Sequence, residues 1–101
     1  MLEVERLFSS YGRARVLRVL LEGDELNVSE ITRRTGLSHS SVGLHLDFLI
    51  REGLAREKRF NHIRILSVNH DDPRAAVLLR FLADWRSTAS DRTLRPEIAF
   101  N

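Results

Sequence analysis

A run of serines and four histidines are the first residues of this 101-residue chain that could do chemistry. Ser41 and His45 stand four apart, which brings a hydroxyl and an imidazole to one face of a helix. A nucleophile and its base also need a group that orients the base and donors for an oxyanion, and the sequence offers neither. His39, His62 and His70 are scattered without the spacing of metal ligands. The chain has no cysteine, so disulfides, thiolate metal sites and cysteine nucleophiles are all excluded. We therefore expect no enzyme, no metal site and no cofactor.

The same residues suit binding better. Ser38, His39, Ser40 and Ser41 crowd what reads as a helix N-terminus, where free amides and the helix dipole attract phosphate. Serine and histidine side chains can also donate or accept at base edges. Strong cations are absent from Ser38 to Ile50, and Asp47 adds a negative charge. They gather further on. Residues 51–66 hold Arg51, Arg56, Lys58, Arg59 and Arg64 against Glu52 and Glu57, so this stretch carries the whole positive excess of a chain whose net charge is +2, and the rest is nearly balanced. The expected division of labour is shape and polar contact from the serine-rich helix, and charge from the basic stretch.

Local signals say what must position these residues. Leu2 to Tyr11 reads as a first helix, with Leu7, Phe8 and Tyr11 on one face. Ser9 or Ser10 caps a second, which carries Val16, Leu17, Leu20 and Leu21 on one side and stops near Gly23. Asn27-Val28-Ser29-Glu30 has the form of a capping box, with Val28 and Ile31 inward and Arg33 and Arg34 outward. Gly36 ends that helix and Ser38 caps the next, whose Val42, Leu46, Leu49 and Ile50 share a face. Gly53 ends it in turn.

The period then becomes two. Leu54 to Phe60 and Ile63 to Val68 flank Asn61-His62, a β-hairpin with asparagine at its tip. Asp71-Asp72-Pro73 starts a last helix carrying Val77, Leu78, Phe81, Leu82 and Trp85. The expected fold is mainly α with a small β-hairpin wing, in one domain over residues 1–86, followed by a mobile tail over 87–101. No apolar run is long enough to span a bilayer, and the cytoplasm is the expected compartment.

Helix, helix, turn, helix, hairpin, helix is the order of a winged helix-turn-helix. Arg13 to Val68 resembles the DNA-binding core of ArsR- and MarR-type transcription regulators, especially small archaeal ones. The resemblance rests on Val28-Ser29-Glu30-Ile31, Thr35-Gly36-Leu37-Ser38, Val42, His45-Leu46, Leu49 and Glu52-Gly53-Leu54. It implies that the helix after the turn enters the major groove of double-stranded DNA while the hairpin touches backbone or minor groove. Two positions depart from the family pattern: Leu44, where a basic residue is common, and Asp47, where a lysine is common.

The residues expected on DNA are Ser38, His39, Ser40, Ser41, Gly43, Leu44 and His45 of the reading helix. Leu44 would pack on a thymine methyl, and Gly43 would allow a close backbone approach. Arg33, Arg34, Arg56, Lys58, Arg59, Asn61, His62 and Arg64 are expected on phosphate. The terminal helices carry more apolar surface than a small core needs, so a homodimer is expected through Leu7, Phe8, Tyr11, Leu78, Phe81, Leu82 and Trp85. The resulting reading is a dimeric regulator of transcription, most simply a repressor, with no assigned effector. The alternative is a winged-helix module that binds protein and little or no DNA.

Overall fold

The computed structural model describes residues 1–94. The chain runs α1 (Val4–Phe8), α2 (Tyr11–Glu22), β1 (Leu26–Asn27), α3 (Val28–Thr35), α4 (His39–Arg51), β2 (Ala55–Phe60), β3 (Ile63–Val68) and α5 (Pro73–Leu94). The three strands form an antiparallel sheet in the order β1-β3-β2. This is a winged helix-turn-helix, mostly helical with a hairpin wing.

The caps lie where local chemistry puts them. Ser10 Oγ accepts from the amide of Arg13 at 3.2 Å, Asn27 Oδ1 from Glu30 at 2.8 Å, and Ser38 Oγ from Ser41 at 3.1 Å. Gly36 and Gly53 take φ of 74° and 82°, left-handed values that cost glycine little. Asn61 turns the hairpin at φ 60°. Asp72 Oδ1 accepts from the amide of Arg74 at 2.9 Å as Pro73 opens α5.

One core holds the helices to the sheet. Val16 and Leu20 of α2, Ile31 of α3, and Val42, Leu46 and Leu49 of α4 are all buried against Leu54, Leu66 and Val68. Each contributes about 1.5–3 kcal/mol by leaving water. Because Val42, Leu46 and Leu49 fix one face of α4 inward, the opposite face is presented to solvent.

Several expectations are corrected. Tyr11 does not share a helix with Leu7 and Phe8; with Ser10 as cap it begins α2, and it is exposed. Leu7 is buried in the core of its own chain and is not available to a partner. The capping box is half made, since the Glu30 carboxylate is held by Arg33 at 2.6 Å and Arg34 at 3.3 Å instead of reaching back. β1 was not expected; it pairs Leu26 with Leu66 and Asn27 with Ile65, which ties the wing to the start of α3.

The last helix runs to Leu94, past the expected boundary at 86. Ser87 and Thr88 do not break it, because their hydroxyls donate to the carbonyls of Asp84 and Trp85, at 2.8 and 2.7 Å. The remainder of the expected tail, 95–101, lies outside the described residues. Only Leu78 and Leu82 of the α5 stripe pack inward, leaving Val77, Phe81 and Trp85 exposed. No helix among the described residues is long and apolar enough to cross a membrane.

Candidate nucleic-acid interface

With about 3.6 residues per turn, Ser40, Leu44, Asp47 and Arg51 fall on one strip of α4, opposite its buried face. All four are exposed, and Leu44 retains 71% of its accessible surface. Gly43 lies beside the strip, and a Cβ built there would meet nothing within 4 Å. Ser38 and Ser41 are engaged with each other: Ser38 Oγ donates to Ser41 Oγ at 3.1 Å while it caps the helix. His39 and Ser40 are therefore the free polar side chains at the N-terminus of α4.

His45 is placed elsewhere. It is half-buried and turned toward α2, where a Cβ on Gly12 would come within 2.8 Å of its Nε2. Burial lowers its pKa, and the charge of Arg13 lowers it further. His45 thus belongs to the contact between α2 and α4, not to the exposed strip.

The wing borders the strip on the Asp47 side. Strand register places Arg59 opposite Arg64 and Glu57 opposite Leu66. Ala55, Glu57 and Arg59 share a face with Arg64, Leu66 and Val68, and the buried members at the base of the hairpin show that this face points inward. Toward the tip the same face is charged, and Glu57 serves both facing arginines. Arg64 donates to Glu57 from Nε at 2.8 Å and from Nη2 at 3.1 Å, and to Asp47 at 3.3 Å. Arg59 reaches Glu57 at 3.3 Å.

The hydrogen bond from Arg64 is the main reason the Glu57 pKa lies below the usual carboxylate value, and Glu57 in turn raises that of Arg64. Arg64 is thus a strut between wing and α4. The aspartate that looked out of place on a reading helix is one end of that strut.

The other wing cations are also paired. Arg56 meets Asp71, and Lys58 meets Glu25 at 2.8 Å. A wing of free positive charge, as expected from the sequence, is not what the chain presents. The Arg56–Asp71 and Lys58–Glu25 pairs are exposed, and such pairs contribute only about 0–1 kcal/mol, so phosphate can displace their carboxylates. His62 and Asn61 are exposed at the tip, between Phe60 and Ile63, which are exposed too. Between wing and helices lies an open cleft of about 370 Å³, lined by Asn27, Val28, Ser29, His39, His62, Ile63 and Arg64. Arg33 and Arg34, in the last turn of α3, share Glu30.

Sequence reasoning missed Arg51 on the exposed strip and Arg15, whose Nε donates to the carbonyl of Thr35 at 2.7 Å and so braces α2 against the turn. An apolar groove of about 230 Å³ lies away from the strip, where Phe8, Leu17 and Leu21 face Leu78, Phe81 and Trp85. Among the described residues no three His, Asp or Glu side chains converge at metal-binding distance.

Residues 10–57 match the family model described as "Bacterial regulatory protein, arsR family". Over these residues the chain is similar to an ArsR-family helix-turn-helix domain. The chain is also similar to solved structures. Rv0081 of Mycobacterium tuberculosis is 27% identical, with a TM-score of 0.64 over 93% of this chain and 88% of that one. HlyU of Vibrio cholerae is 23% identical, with a TM-score of 0.69 over 81% and 86%. The homodimeric winged helix-turn-helix DNA-binding domain Mb0332 of Mycobacterium bovis is 21% identical, with a TM-score of 0.64 over 91% and 79%. No curated protein matches the sequence. The ArsR-family match spans α2 through α4 and the start of β2, the part of the chain that carries the exposed strip.

Proposed function

We propose that the chain is a cytoplasmic, homodimeric regulator that binds specific sequences in double-stranded DNA, acting as a repressor by occupying its site. The observation that carries this reading is the solvent-facing strip of α4, capped by Ser38 and braced by the wing through Asp47 and Arg64. Ser40 and His39 offer donors and acceptors, Leu44 offers an apolar contact for a thymine methyl, and Gly43 leaves room for close approach. Ser38, Ser41 and His45 act behind them, as cap, cap partner and packing residue. Arg33, Arg34, Arg56, Lys58 and Arg59 exchange their carboxylates for phosphates, aided by Asn61 and His62 at the tip.

Dimerisation through Phe8, Phe81 and Trp85, with Leu78 at the edge and the buried Leu82 behind them, accounts for the apolar groove and the exposed aromatic rings beside it. It would set two reading helices about 34 Å apart, one turn of duplex. The homodimeric Mb0332 domain supports this reading. A catalytic role is disfavoured because Ser41 is tied to Ser38 while His45 faces Gly12.

The test is duplex binding measured at several salt concentrations. Binding that weakens steeply with salt supports the DNA reading. Absence of binding at low salt would favour a protein partner for the strip.

A further inference from the structure

The wing cations all have carboxylate partners, but a second group of cations does not. Arg6 of α1, Arg13 of α2 and Arg51 of α4 gather about the ring of Phe48, with guanidinium carbons 5.4, 3.6 and 6.0 Å from its centroid. Among the described residues no carboxylate lies within ion-pair distance of any of the three, although Glu3, Glu5 and Glu52 are near in the chain. Arg13 donates from Nη1 to the carbonyl of Arg6 at 2.6 Å, and its Nε is buried without a partner. The ring attracts each cation through its π face, but it cannot cancel the repulsion among three like charges. Such a cluster calls for an anion.

Its position names the anion. On α4, Asp47 and Phe48 are neighbours about 100° apart, and the exposed strip of Ser40, Leu44 and Arg51 runs between them. Asp47 meets the wing, and Phe48 meets α1 and α2. The reading strip is therefore flanked by the wing on one side and by the arginines on the other. A helix seated in a major groove has a phosphate chain along each side. We propose that Arg6, Arg13 and Arg51, gathered over Phe48, form a seat for a backbone phosphodiester of duplex DNA on the flank of α4 opposite the wing. The seat rests on the DNA-binding reading given above. It is the stronger phosphate site of the two, because no intramolecular carboxylate has to be displaced first.

The test is the salt dependence of binding to a non-specific duplex by the full chain and by Arg6→Gln/Arg51→Gln. Arg13 is kept so that Phe48 stays covered, and a thermal melt checks that the variant is folded. The expected result is a slope of log K against log salt that falls by about 1–2, with a loss of about tenfold or more at 0.1 M salt. Arg6→Lys/Arg51→Lys should retain the slope, since neutralising phosphate needs only the charge.

An unchanged slope in a folded Gln variant would overturn the seat alone. Failure of the unaltered protein to bind any duplex would overturn the DNA reading and the seat together. Inorganic phosphate, titrated against labelled protein and followed at the arginine Nε resonances, separates the remaining source. Saturation at low millimolar phosphate, unaffected by duplex, would assign the cluster to a free anion and overturn the proposal.

Discussion

Replacing Arg64 by alanine removes both ends of the strut at once. The Glu57 carboxylate loses a two-pronged donor and keeps only Arg59, and Asp47 loses its link to the wing. An exposed ion pair contributes about 0.2–1 kcal/mol, whereas breaking a buried one costs about 3–5 kcal/mol. The Arg64 and Glu57 side chains keep 22% and 21% of their exposure, which puts the pair between those regimes. The expected loss is about 1–3 kcal/mol, since a largely covered carboxylate is left under-satisfied. For a domain of this size that lowers Tm by about 5–15 °C.

Thermal unfolding followed by circular dichroism reads the shift. Glu57→Gln, alone and with Arg64→Ala, completes a cycle whose coupling should exceed about 1 kcal/mol. Lysine at 64 should restore little, because it cannot supply the paired donors of a guanidinium. The effect also has a pH signature. Glu57 is held below its ordinary value of 4.5, so its contribution is full above that pH and is lost as the pH falls through the lowered value. The melts of the native chain and the variant should converge in acid. A variant as stable as the native chain at neutral pH would refute the strut and leave Asp47 without a structural account.

Gly43→Ala should stabilise the fold by about 0.5–1 kcal/mol in denaturant unfolding, because the position is helical and open; if DNA approaches the backbone there, the same change should weaken duplex binding, and unchanged binding would remove Gly43 from the interface. Phe81→Asp/Trp85→Asp should give a monomeric mass in light scattering at micromolar concentration where the native chain gives a dimer, since these rings are 52% and 66% exposed beside the apolar groove; a native chain that is already monomeric would contradict the dimer. Asp72 is held down to about 2, first by the side-chain hydrogen bond from Arg74 and then by that residue's amide, so its contribution is full above the unfolded value of 3.8 and fades as the pH falls toward 2; Asp72→Asn should lower stability at neutral pH and flatten the acid limb of the melting profile, and an unaltered limb would contradict the assignment.

What was legible in the sequence is what depends on near neighbours. Ser10, Asn27 and Ser38 cap because an oxygen three residues before an amide is placed by the turn itself. Gly36, Gly53 and Asn61 mark chain reversals by the backbone angles they tolerate, and the buried face of α4 follows from the spacing of Val42, Leu46 and Leu49. What was not legible depends on distant partners. Arg64 meets Asp47 across 17 positions and Arg56 meets Asp71 across 15, so a run that sums to strong positive charge folds into paired charges. Arg64 sits between isoleucines, which suggests an outward residue on an alternating strand, yet the register turns it inward. The two residues of β1 are too few for any periodic signal. The arginines over Phe48 come from three helices, and no spacing along the chain announces them.

The central claim is that α4 reads bases although its exposed strip carries a leucine and an aspartate. Selection of random double-stranded DNA by the purified full chain, with sequencing of what is retained, tests it most directly. The expected result is a palindromic motif with half-sites about one helical turn apart, and loss of preference at particular positions in Ser40→Ala and Leu44→Ala with the salt slope unchanged. Retention of duplex without any motif, or of no duplex at low salt, would contradict it.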